Sequence, residues 1–431
     1  MMNEPEIFSI PVFGKYILYI PLQEKVILSG SEDLENNIQY LKDSSIKVRS
    51  KPQKRIGPII EPLFLGLITT RDCNLDCRYC DFIMSNKRQH NMTPQIAKTS
   101  VDSYIELLES NNQKIGKIQF FGGEPFWKNR IIELILPYAR MIAARKKISI
   151  YFDVTTNGYM SQSRCKWISE NFDQVTLSLD GPEEFQNLNR PSKNGFGSFT
   201  RVFENAKILS FGNCDLIIRV CVTSNSVEQL VEIASWIMKN FVVGKVCFEP
   251  LTISKLALKN SLHPPDPMLF AKNFLLASEY LEEFGIETMT SGVDILRIQY
   301  SFCPVGNDAI IINPDGKISA CYQTEKEWEK VGLNFSFGEL DVKNNAFIID
   351  ELCLDSIRSN YPLDYQLCSK CFCKYHCAGG CHISHSNIKS TNLYDDVCIQ
   401  TRLIITGKLL RIVSNNEFYC EWLTNINKIR L

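Results

Sequence analysis

The chain has 431 residues, 45% hydrophobic and 22% charged, with 47 Lys and Arg against 48 Asp and Glu and a net charge of −1. That length suits about two or three packed domains, and the balanced charge excludes a broad basic surface for nucleic acid. The longest apolar runs are too short to cross a bilayer, and the acidic start Met1-Met2-Asn3-Glu4-Pro5-Glu6 lacks the basic and apolar regions of a signal peptide.

Seventeen cysteines stand beside only five histidines. With no signal peptide the expected compartment is the reducing cytoplasm, where clustered cysteines bind metal more often than they pair. Soft thiolates favour iron–sulfur clusters or zinc.

In chain order, residues 1–60 offer strands at 8–12, 15–21 and 25–29, a polar helical stretch at 32–42 and a basic Pro/Gly linker at 47–58. From 61 to 252 short apolar runs alternate with amphipathic ones. Strands are expected at 63–69, 115–121, 148–155, 174–179, 215–223 and 245–250. The intervening helices fall at 94–109, 129–144, 162–171, 199–210 and 226–239. This alternation predicts an α/β fold with a parallel sheet or partial (β/α) barrel, whose strand ends and following loops carry the chemistry. Residues 253–300 read as a connector broken at Pro264-Pro265-Asp266-Pro267. Residues 301–400 read as cysteine-rich loops, and 401–431 as an apolar helix and tail.

Cys73, Cys77 and Cys80 follow the first of these strands as C-x3-C-x2-C. Three thiolates on one loop can hold three irons of a cube and leave the fourth open; the bland alternative is a zinc loop short of one ligand. Phe121-Gly122-Gly123-Glu124-Pro125 ends the second strand, where glycines admit a ligand to the backbone and a carboxylate can receive an ammonium. Thr156-Asn157-Gly158 ends the third and Ser178-Leu179-Asp180-Gly181-Pro182 the fourth, with Arg190 beyond. Each is weak alone, but together they occupy the carboxyl ends of successive strands. A second set, Cys368, Cys371, Cys377 and Cys381, reads C-x2-C-x5-C-x3-C. Cys303 and Cys321 flank a turn at Asn313-Pro314-Asp315-Gly316, and Cys398 follows. Here the bland alternative is a zinc ribbon.

The cysteine loop with Tyr79, the Gly-Gly-Glu-Pro, the Thr-Asn-Gly and the Ser-Leu-Asp-Gly-Pro with Arg190 resemble the radical S-adenosylmethionine (radical SAM) superfamily. The resemblance implies a partial (β/α)6 barrel in which Cys73, Cys77 and Cys80 ligate a [4Fe–4S] cluster whose free iron binds S-adenosylmethionine. It places the methionine amine on Gly122, Gly123 and Glu124 and the carboxylate on Ser178 and Arg190. Tyr79, Asn157, Arg219 and the strand end Phe248-Glu249-Pro250 line the remaining surface; the alternative for Arg219 is an ordinary strand-end charge.

The later cysteines are similar to the SPASM extension with its two auxiliary [4Fe–4S] clusters. By that resemblance Cys368, Cys371, Cys377 and Cys398 hold one cluster, and Cys303, Cys321 and Cys381 belong to the other. Sulfatase-maturating members have an eighth cysteine where Arg297 stands and an Asp where Tyr322 stands. The cluster of Cys303, Cys321 and Cys381 then has three protein thiolates, with one iron open to substrate or closed by another residue, for which the candidates are Cys353 and Cys373. Both are otherwise inert, as Cys165, Cys214, Cys221, Cys247 and Cys420 are expected to be. His376, His382 and His385 are expected to support the ligands or lie at the surface.

Together these resemblances imply an oxidoreductase acting on a peptide or protein, with an electron donor such as flavodoxin or ferredoxin and no membrane partner. The favoured outcome is a thioether or carbon–carbon cross-link in a ribosomal peptide. The alternatives are formylglycine formation, epimerisation and a zinc-bound scaffold. Residues 1–60 would be a truncated leader-peptide element or a cap on the barrel.

Overall fold

A computed structural model describes residues 6–43, 56–80, 82, 91–127, 130–290, 297–299, 301–303, 305, 308–359, 366–383 and 393–428. Most of the expected linker at 47–58 lies outside them, as does His385.

The strands β1 (Phe8–Val12), β2 (Lys15–Ile20) and β3 (Lys25–Gly30) form an antiparallel sheet of their own. A two-residue turn joins β1 to β2, with positive φ at Phe13 and Gly14, the twist that a tight hairpin requires. Alternation then sorts the side chains. Leu18 and Ile20 pack with Leu41 of the helix Leu34–Asp43, while Ile10, Val12, Ile17 and Tyr19 join the main core.

The second sheet holds β4 (Leu65–Thr70), β5 (Ile115–Gly122), β6 (Ser149–Thr156), β7 (Gln174–Ser178), β8 (Asp215–Val222), β9 (Lys245–Pro250), β10 (Glu287–Met289), β11 (Ile310–Ile312), β12 (Lys317–Ser319), β13 (Ser336–Asp341) and β14 (Ala346–Ile349). Its order is β10-β9-β8-β7-β6-β5-β4-β11-β12-β13-β14. Pairing is parallel from β10 across to β11 and antiparallel from there to β14. The α/β fold is a partial barrel followed by a cysteine-rich segment, and the six expected strands run from β4 to β9. The sheet goes further at both ends. β10 has three residues, and β11 to β14 extend the barrel into what reads as loops.

Why the barrel forms is visible in its alternate positions. Leu65, Leu67, Ile118, Phe120, Phe152, Val154, Val175, Leu177, Ile218, Val220, Val246 and Phe248 share one core with apolar residues of the outer helices, among them Tyr104, Ile135, Ile168, Val202 and Ile233. The positions between them, including Gly66, Gln119, Phe121, Asp153, Arg219, Cys221, Cys247 and Glu249, take the opposite, concave face.

Two helices differ from expectation. Pro264-Pro265-Asp266-Pro267 starts one: Asp266 accepts from the amides of Met268 and Leu269, and Pro267 opens the helix Pro267–Glu282. The tail holds a second helix, Asn416–Thr424, after Asp396–Val413. Among the described residues no helix is long and apolar enough to cross a membrane.

Candidate active site

β4 ends at Thr70, and the chain turns directly into the loop of Cys73, Cys77 and Cys80. Backbone bonds pin this loop to the segment after β7: the Asp76 amide to the Pro191 carbonyl at 2.8 Å and the Arg78 amide to that of Asn189 at 2.9 Å. Cys73 is buried and the other two are half-buried. Asn157 Nδ2 and the Leu75 amide each donate to Cys73 Sγ at 3.4 Å. Burial lifts the Cys73 thiol to about 11 and that of Cys77 higher still, so a bound cation is what makes thiolates here.

The two glycines have a cause other than ligand access. A Cβ on Gly122 would stand 2.4 Å from the Thr70 carbonyl oxygen, and one on Gly123 2.2 Å from that of Asp72. The end of β5 therefore presses on the backbone that leads into the cysteine loop. The Gly123 amide donates to the Thr70 carbonyl at 2.9 Å and the Glu124 amide to the Asp72 carbonyl at 2.8 Å.

Glu124 is buried, and its carboxylate accepts from Thr156 Oγ1 and the Asn157 amide, both at 2.8 Å, and from the Phe126 amide at 3.3 Å. Both of its oxygens are thus engaged within the protein. Burial pushes this carboxyl up to about 7 despite its three donors.

Arg190 also has an internal partner, a charge pair with Asp180 (Nε–Oδ1 3.0 Å) without hydrogen-bond alignment at Nε. Asp180 is fully buried and further accepts from Tyr79 Oη at 2.9 Å, the Cys221 amide at 2.9 Å and Asn189 Nδ2 at 3.2 Å. This carboxylate ties the residue before Cys80 to the Arg190 loop and to β8. Ser178 ends β7 opposite Arg219 of β8.

On the concave face Arg219 lies opposite Cys247, and Cys221 opposite Glu249. Cys247 Sγ stands 3.1 Å from Glu249 Oε1. Cys221 and Cys247, expected to be inert thiols, both stand on the concave face. A two-residue step from Arg219 and from Glu249 puts them on the same face, a period the sequence shows.

The other leftovers are structural. Cys165 is buried against the Asn205 carbonyl, Cys214 lies near the Leu209 carbonyl and Cys420 is exposed. Tyr322 closes the β4 side of the concave face: its hydroxyl donates to Gln119 Oε1 at 2.6 Å, and its ring lies 4.6 Å from that of Phe121. Arg71, two residues before Cys73, donates to the Tyr322 carbonyl at 3.2 Å and to Asn313 Oδ1 at 2.7 Å.

The remaining cysteines fall into two separate groups. Cys368, Cys371, Cys377 and Cys398 line one small pocket together with Cys373, Tyr394 and Arg402. Cys303, Cys321 and Cys381 form the other, since Cys303 feels the charges of Cys381 and Cys321. Burial raises the Cys321 and Cys368 thiols to about 11 and Cys377 to about 12. Cys371 goes the other way, down to about 6, through a hydrogen bond with Cys373 and the charge of Arg402.

Neither candidate fourth ligand joins the Cys303 group. Cys373 is buried in the other cavity, and Cys353 sits on the helix Glu351–Ser359 with its amide on Asp350 Oδ1. Arg297 is exposed. His376 is buried and engaged, its Nε2 2.6 Å from Tyr19 Oη, while His382 lies edge-on to Phe335. Among the described residues no three His, Cys, Asp or Glu side chains converge tightly enough for a single metal ion.

Residues 67–237 match the radical SAM superfamily. The cysteine-type anaerobic sulfatase-maturating enzyme of Clostridium perfringens strain 13 is 26% identical over 345 residues, 74% of this chain and 89% of its own. Among solved structures, native anSMEcpe with bound AdoMet superposes with a TM-score of 0.61 at 21% identity, over 86% of this chain and all of that one. Streptococcus suis SuiB, solved with S-adenosylmethionine and with the precursor peptide SuiA, gives 0.54 at 16% identity over 92% of this chain and all of its own.

Proposed function

We propose, for a chain whose residues 67–237 are a radical SAM domain, a peptide-modifying oxidoreductase with three [4Fe–4S] clusters. Cys73, Cys77 and Cys80 hold the catalytic cluster; Cys368, Cys371, Cys377 and Cys398 hold one auxiliary cluster, and Cys303, Cys321 and Cys381 the other. The observation that carries this reading is the gathering of the thiols into three groups, one clamped at the carboxyl ends of the parallel strands. Held by Cys73, Cys77 and Cys80 with one iron free of protein thiolate, such a cluster would supply the reductive cleavage of S-adenosylmethionine that permits hydrogen-atom abstraction from the substrate.

The chain's own residues orient and shield. The Gly122–Glu124 backbone takes the amine, while Ser178 and Arg190 take the carboxylate, with Asp180 fixing Arg190 and Tyr79 in place. Asn157 and Arg219 line the remaining rim. The peptide lies along the concave face past Glu249 and Tyr322, and the product is a cross-link within it. A leader segment adds as a strand at β1 or β3, the two edges of the amino-terminal sheet. We divide the chain into 1–60, the barrel 61–252, the connector 253–300, the SPASM segment 301–400 and the terminal helices 401–431. Seventeen free thiols suit a reducing cytoplasm, where a flavodoxin or ferredoxin supplies electrons.

Iron per chain after anaerobic reconstitution tests the reading. About twelve irons should fall to about eight in a Cys73/Cys77/Cys80→Ala variant, with loss of 5′-deoxyadenosine formation. About four falling to none would remove the auxiliary clusters and the case for a peptide substrate.

Formylglycine formation is the second reading, supported by the sulfatase-maturating relative that matches over most of its length. Against it, the residue after Cys321 is a tyrosine whose hydroxyl is committed to Gln119. A sulfatase-motif peptide left at unchanged mass by the reconstituted enzyme would dismiss it.

A further inference from the structure

The cavity of Cys368, Cys371, Cys377 and Cys398 is lined by two cations that the proposed chemistry does not use, Lys374, which is paired with Glu6, and Arg402. The helix Asp396–Val413 is capped by Asp395, which accepts from the Cys398 amide, so Cys398 lies in its first turn. Arg402 is four residues on and therefore on the same face. Its Nη1 donates to Cys371 Sγ at 3.5 Å. The guanidinium lies over the Tyr394 ring at 4.4 Å and the Phe372 ring at 4.7 Å. Its Nε is buried and has no hydrogen-bond partner among the described residues. The charges that act on Arg402 most strongly are those of Cys371, Cys373 and Tyr394. A cation held between two aromatic rings with a ligand sulfur as its hydrogen-bond partner favours negative charge that arrives on that sulfur.

We infer that Arg402 is a positioning residue for the auxiliary cluster of this cavity, fixing the Cys371 sulfur and setting the cluster's reduction potential. This rests on the assignment of that cluster under the proposed function. A one-electron reduction adds a negative charge to the cluster. A fixed cation one hydrogen bond from a ligand sulfur stabilises the reduced form more than the oxidised one, and hydrogen bonds to the sulfurs act in the same direction. Arg402 thus raises the potential of this cluster. Around the Cys303 group the cation that acts on Cys321 is Arg71, and that guanidinium is engaged by the Tyr322 carbonyl and Asn313.

The test is an anaerobic, EPR-monitored redox titration of the full chain on the Cys73/Cys77/Cys80→Ala background, which leaves only auxiliary iron. Three proteins are compared: Arg402 intact, Arg402→Gln and Arg402→Lys. In Arg402→Gln, iron stays at about eight per chain and one of the two couples moves to lower potential. The expected shift is a tenfold fall in the reduced-to-oxidised ratio at the original midpoint, about 59 mV for one electron. Arg402→Lys, which keeps the charge, returns most of the shift. Unmoved couples at full iron overturn the inference while leaving the clusters in place. Loss of about four irons in both variants makes Arg402 a purely structural residue and overturns it too. No iron in the Arg402-intact protein removes the auxiliary clusters themselves, and the inference with them.

Discussion

The two thiol-bearing regions of this chain are built in opposite ways. Around Cys73, Cys77 and Cys80 the protein supplies nearly everything: a parallel sheet packed against outer helices, glycines in van der Waals contact with the loop, and the buried Asp180 knot joining three elements. Around Cys368 to Cys398 it supplies little. The helices Gln366–Ser369 and Lys374–Cys377 have four residues each. Ala378, Gly379 and Gly380 all take positive φ. The barrel presents a preformed socket. Under the function proposed above, the second region is shaped by its cluster, because metal binding free energy there is also folding free energy.

The largest effect should come from removing that cluster. In a Cys368/Cys371→Ala variant, amides of 366–380 should lose protection against hydrogen exchange by the equivalent of about 5 kcal/mol or more, while β4 to β9 remain protected. Equal protection with and without iron would erase the contrast.

Next comes the barrel's own clamp. Asp180→Ala leaves the buried Arg190 charge uncompensated and should cost about 3–5 kcal/mol in urea unfolding of the iron-free chain. A cost that appeared only with iron bound would mean that this socket too is shaped by its metal.

Glu124 sharpens the comparison through pH. Its folded carboxyl keeps a proton to about 7, whereas the unfolded chain releases it near the ordinary value of 4.5. Between those values the native state binds more protons, so stability falls as pH rises and is level outside the window. The difference between wild type and Glu124→Gln should shrink by roughly 2–3 kcal/mol from pH 4.5 to 7. A difference independent of pH would show that the three donors already offset the burial.

The smallest change is one methyl group. Gly123→Ala pushes a Cβ against the Asp72 carbonyl and should cost about 1–3 kcal/mol. Iron at the Cys73 loop should fall while the auxiliary iron stays, and an unchanged iron count would loosen the link between β5 and that loop.

The same contrast explains what could be read from the sequence. The strands β4 to β9 are legible because each alternates or runs apolar between turn signals, and because Gly122, Asn157 and Asp180 punctuate their ends. β10 is not, since Glu287-Thr288-Met289 has no apolar period, and β11 is three isoleucines inside a stretch dominated by cysteine spacing. The helix at Pro267 hides behind three prolines, which read as a break although Asp266 makes them a start. The grouping of Cys221 with Arg219 depends on knowing which face is concave. Arg402 is silent in sequence because its partner Cys371 lies 31 positions away.

The pairing of β11 with β4 works as a ruler. Ile310, Ile311 and Ile312 are locked beside Leu65, Gly66 and Leu67, so Cys321 and Cys73 are both measured from the same rungs. A slip of one rung would displace one site by about 3.3 Å and turn its side chains to the wrong face. Their spacing is therefore stepped, and no gradual breathing of the molecule can tune it. Among the described residues the sheet ends at β10 and β14, which are bound by this register on one side only.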